Sequence, residues 1–126
     1  VDTRRAVRLI AVGRAALGAA VLLAPERVVS RWLGAENARR GAVKALGRGL
    51  AVRDVGLAIA TLQTLDDPVI GPRVQAACAA ADGVDALATM IERRSLPRTG
   101  AIGTMAIAGG AAVAGFYLSH RIAHET

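Results

Sequence analysis

The residues whose types and spacing could do chemistry are Arg14, Arg53, Asp54, Asp82 and Asp85, each set in a run of Ala, Val, Leu, Ile and Gly. Asp82 and Asp85 are three apart and share one helix face. Two neighbouring carboxylates resist ionising together, so one holds a proton unless a cation neutralises it. A proton carrier or a general acid/base pair requires such a group. Arginine adds a planar fork for an anionic or carbonyl-bearing ligand, and Gly49 and Gly56 flank Arg53 on its helix face and leave room for one. The structural alternative is that Arg14 and Arg53 pair permanently with the aspartates and lock the helices together.

Other chemistry finds little support. No Ser/His/Asp arrangement, phosphate-binding loop or Cys-pair metal motif is present, so no catalytic residue is assigned and no cofactor is expected. His120 and His124 are one helical turn apart but lack a third ligand, which leaves no metal site and reads as a solvated tail. Cys78 stands alone and suits a small core residue.

These groups need elements that bring them to one level. The first apolar segment, at about 6–24, stops at Pro25, whose ring cannot continue a helix without losing a backbone hydrogen bond. Arg4, Arg5 and Arg8 ahead of it resemble the charged region of a signal peptide, but Arg14 interrupts the run, which reads better as a retained membrane helix. At about 25–34, Val28, Val29, Trp32 and Leu33 recur at helical spacing opposite Glu26, Arg27, Ser30 and Arg31. This predicts an interfacial helix with Trp32 at headgroup depth and Arg27 and Arg31 facing lipid phosphates. A polar connection with a partly buried Trp is the plainer alternative.

The second long segment covers about 43–65, and Asp66, Asp67 and Pro68 close it with a turn. The third, at about 69–91, carries Gln75, Cys78, Asp82, Asp85 and Thr89 at intervals of three and four, one polar stripe on an apolar helix. The fourth, at about 99–119, has no charge from Gly100 to Leu118. Its Gly100, Thr104, Ala108 and Ala112 form a small-residue ridge of the kind along which membrane helices approach.

Composition favours a membrane. Hydrophobic residues make up 53% and mean hydropathy is +0.40, yet aromatics are only 2% and Gly numbers 14. Soluble cores draw on large aromatics, and glycine is commoner in membrane helices than in soluble ones. A net charge of +6 without base-stacking aromatics excludes nucleic acid as a partner and favours membrane lipids, including anionic headgroups.

A charge at the centre of a membrane helix costs about 2.5 to 3.5 kcal/mol, while each Leu, Ile or Val returns about 0.3 to 0.6. The second segment, with Arg48, Arg53 and Asp54, therefore inserts only with help from its neighbours. Help is at hand, because the segment midpoints near Ala15, Asp54, Ala80 and Gly109 put Arg14, Arg53, Asp54 and Asp82 at one level, with Asp85 about a turn away. Gly109 and Gly110 are expected to leave the space where these groups meet. Arg48, Arg53 and Asp54 project roughly 100 to 140° apart, so Arg48 snorkels to the interface while Arg53 and Asp54 face different neighbours. Two arginines then oppose three aspartates, and a proton shared on the Asp82 and Asp85 face is expected.

The stretches LLAPERVVSRWLG, GRGLAVRDVGLAIA and AADGVDALATM resemble an uncharacterised family, a domain of unknown function, of small bacterial four-helix integral membrane proteins. The resemblance covers most of the chain. It implies four membrane helices with intramembrane Arg and Asp, and it implies no activity.

The resulting expectation is an all-α fold, an integral membrane four-helix bundle with a short interfacial helix between the first two spans. Residues 1–126 form a single membrane domain, placed in a bacterial inner membrane. Its role is expected to be non-catalytic, as a homo-oligomer or an accessory subunit of a larger membrane complex. A proton-coupled or amphipathic-ligand binder or transporter is the alternative, and a membrane-embedded enzyme using an Asp acid/base ranks third. An Ala-rich soluble four-helix bundle is the architectural rival.

Overall fold

The computed structural model describes residues 2–125, which contain helices and no strand. Asp2 opens α1 (Thr3–Leu23) by accepting the Arg4 amide, and Ala24 leaves helical geometry just ahead of Pro25. Pro25 then occupies the first position of α2 (Pro25–Leu33), where its missing N–H is no loss. Gly34, at φ +90°, turns the chain into the one-turn α3 (Ala35–Ala38), a backbone conformation that strains any residue with a Cβ. The helices α4 (Gly41–Thr64) and α5 (Ile70–Ile91), a 3₁₀ turn (Arg93–Ser95) and α6 (Arg98–His124) complete the fold. The tail at His120 is thus helical, so α6 outruns its expected end, and α3 was not foreshadowed by any periodicity.

Small residues decide which helices touch. A Cβ on Gly18 would come within 2.9 Å of the Ala51 carbonyl, so α1 and α4 pack backbone against backbone. One on Gly115 would fall 2.8 Å from the Ala79 Cβ, which sets α6 as closely on α5. Both pairs are antiparallel: Arg4 near the start of α1 reaches the Leu65 carbonyl beyond the end of α4, and Ser119 late in α6 donates to the Pro72 carbonyl early in α5. Contact between the two pairs is sparser, and longer side chains fill the space there.

The distribution of side chains is inverted relative to a soluble bundle. Ala11, Ala51, Ala58, Ala79 and Ala112 are buried together with Thr61, Gln75, Asp82 and Thr89. Large apolar groups face out, among them Ile107 at 75% exposed and Val113 at 73%. Among the described residues the one cluster of bulky buried apolar groups, Val7, Leu65 and Ile122, closes the end of the bundle near the α4 to α5 turn.

Helices α1, α5 and α6 are long and apolar enough to cross a membrane. Among the described residues that makes three by length and composition, not the four expected, because α4 carries Lys44, Arg48, Arg53 and Asp54. The Trp32 indole N–H donates to Thr89 Oγ1 at 3.2 Å, so the half-buried ring docks against α5, while Arg27 and Arg31 are exposed. Gly100 permits the same docking from α6, since a Cβ there would collide with the Arg31 and Trp32 carbonyls.

Candidate functional site

The polar stripe of α5 is the buried face of the helix: Gln75, Cys78, Asp82 and Thr89 are buried and Asp85 half-buried. It faces the space between the two close-packed pairs. Arg14 enters that space from α1, and Arg53 and Asp54 enter it from α4.

These five residues form one connected network. The Arg14 guanidinium donates to Asp82 through Nη2 and to Asp54 Oδ1 through Nη1 at 3.3 Å. Arg53 makes a fork with Asp85, Nη1 to Oδ1 at 3.2 Å and Nη2 to Oδ2 at 2.7 Å. Its Nε and Nη2 also reach Asp54 Oδ1, at 3.2 and 3.0 Å. Asp54 Oδ1 therefore accepts from both arginines and joins α1, α4 and α5. The innermost pair is Arg14 with Asp82, whose side chains are 11% and 12% exposed.

Two expectations change. Arg53 and Asp54 do face different helices, α5 and α1, but they also meet each other, because the long guanidinium side chain reaches the carboxylate of the next residue. Asp82 and Asp85 face different guanidinium groups, Arg14 and Arg53, within one cluster of three aspartates and two arginines. Gly109 and Gly110 do not provide the meeting space, since a Cβ on either would meet nothing within 4 Å. Ala111 lies there instead.

A space of about 10 Å³ beside Arg14 and Asp82 is lined also by Thr61, Gln75 and Cys78. It is about the volume one water centre needs, with enough polar partners to hold it. Thr61 was missed in the sequence. It donates to the Leu57 carbonyl and lies 3.4 Å from Cys78 Sγ. Its position two turns beyond Asp54 was the available signal.

Gly49 and Gly56 are exposed with open space around them, so no wall encloses a ligand at Arg53. His124 Nδ1 lies 2.7 Å from the His120 carbonyl, and among the described residues no three His, Cys, Asp or Glu are placed to hold a metal. No family model, curated protein or solved structure matches the chain.

Proposed function

We propose that the chain is an integral membrane protein whose four long helices all span, with α4 admitted by the Arg and Asp network, and that it acts as a non-catalytic homo-oligomer or accessory subunit. A bacterial inner membrane and membership of the small four-helix family belong to this reading, which rests for those points on the three sequence stretches quoted above. The observation that carries it is the inverted distribution: charged and hydroxyl groups inside, bulky aliphatic groups outside. In water such a surface would aggregate, whereas hydrocarbon or a neighbouring helix covers it without loss. Paired charges inside are compatible with a membrane because each guanidinium has a carboxylate in reach. Alkaline carbonate extraction should leave the chain in the membrane pellet, and crosslinking in membranes should trap dimers, higher oligomers or a partner. Release into the soluble fraction sinks the membrane reading, and a strictly monomeric, partnerless chain sinks the oligomeric one.

A proton-handling role is the second reading, favoured by the third aspartate and by the water-sized space beside Asp82. Infrared difference spectra of Asp82→Asn and Asp85→Asn should then lack a carboxyl band present in the wild type. Three ionised carboxylates at neutral pH remove this reading.

A further inference from the structure

On the far side of the bundle from the α4 to α5 turn, α2 and α3 lean over the start of α4 and leave a cleft of about 630 Å³. Arg27, Ser30, Lys44 and Arg48 line it, with Glu26 as the one carboxylate. Among the described residues none of the three cations has a carboxylate within ion-pair distance. Arg48 makes only a long contact, 3.5 Å, to the Leu22 carbonyl. Three unpaired cations around a cleft repel one another and concentrate an anion.

The neighbouring residues indicate which anion. Leu23, 87% exposed, immediately precedes Ala24 in the cleft wall and ends α1, whose Leu9, Val12 and Leu17 are exposed as well. A free anion gains nothing from apolar side chains, whereas a lipid brings a phosphate and acyl chains together. We propose that this cleft holds the phosphate of an anionic glycerophospholipid, with Arg27, Lys44 and Arg48 as its cations and Ser30 as a hydroxyl donor. The inference rests on the membrane reading above and assigns a site separate from the Arg14 and Arg53 network.

The test is native mass spectrometry of the full chain in detergent, with phosphatidylglycerol or phosphatidylcholine added at equal concentration. Wild type should retain phosphatidylglycerol preferentially. Each of Lys44→Gln and Arg48→Gln should weaken that retention about fivefold, the effect of one basic residue at a lipid surface. Arg5→Gln and Arg73→Gln, which remove the same charge elsewhere, should leave it unchanged. Equal retention of the two lipids, or equal loss from all four variants, overturns the proposal. Displacement of the lipid by equimolar inorganic phosphate also overturns it and would assign the cleft to a free anion. Membrane fractionation of the same variants separates the two readings, because a chain that stays in the membrane without lipid preference refutes the cleft alone.

Discussion

Arg14 and Asp54 are partners whose removal should have very different consequences. Loss of Arg14 leaves Asp82 without a guanidinium, and Asp54 with Arg53 alone. A carboxylate stranded at such depth destabilises by about 3 to 5 kcal/mol. Loss of the Asp54 charge, in contrast, leaves Arg14 with Asp82 and Arg53 with Asp85, two balanced pairs. Arg14→Met should therefore lower the thermal unfolding midpoint in detergent steeply, while Asp54→Asn, whose amide oxygen still accepts, should change stability by about 1 kcal/mol or less. Equal losses would show that Asp54 is indispensable to the charge balance. The double variant Arg14→Met, Asp82→Leu should recover much of the loss, since apolar groups of similar volume replace a buried ion pair at little net cost.

At the scale of elements, glycine position separates contact from open surface. Gly18→Ala must push Val55 and the Ala51 carbonyl away, and Gly115→Ala must displace Ala79, so each should destabilise by about 1 to 3 kcal/mol. Gly13 and Gly103 face open space, and their alanine variants should be neutral or stabilising by up to about 1 kcal/mol through helix propensity. Melting curves of the four variants check this, and a uniform response would refute the pairing of α1 with α4 and of α5 with α6. The start of α5 carries a pH dependence of its own. The Ile70 and Val69 amides donate to Asp67 Oδ1 at 2.8 Å each and hold its carboxyl below the usual carboxylate range. A carboxyl whose pKa falls on folding stabilises the fold above its unfolded pKa, and that contribution is lost as pH drops through the lower folded value. Hydrogen-exchange protection at Val69 and Ile70, corrected for intrinsic rates, should fall in acid in the wild type and lose this dependence in Asp67→Asn. Constant protection through the carboxylate range would contradict the capping role.

Across the whole molecule, period was legible in the sequence and pairing was not. The intervals separating Gln75, Cys78, Asp82, Asp85 and Thr89 identified the inward face of α5, because helical period alone decides which residues share a face. Partners depend on reach. The Arg53 guanidinium meets Asp54 and Asp85 together, which no angle per residue encodes. The α2 pattern was similarly ambiguous, since a short amphipathic helix looks alike whether its Trp meets lipid or, as Trp32 does, Thr89.

Helix α4 poses the same difficulty over its full length. Composition alone leaves it short of a span, because Arg48, Arg53 and Asp54 would each cost about 2.5 to 3.5 kcal/mol at mid-membrane. Yet its neighbour fixes its depth. Antiparallel to α1, it touches that helix at Arg4 with Leu65, at Arg14 with Asp54, at Gly18 with Ala51 and at Leu22 with Arg48. If α1 spans, α4 lies at the same depth from end to end, and its central charges find partners on α1 and α5. Reporters fused at the two ends of the chain should accordingly lie on the same side of the membrane. In an Arg14→Ala, Asp85→Ala variant, which strips α4 of its partners, that topology should become mixed. Reporters on opposite sides in the wild type would leave α4 outside the membrane and overturn the four-span reading.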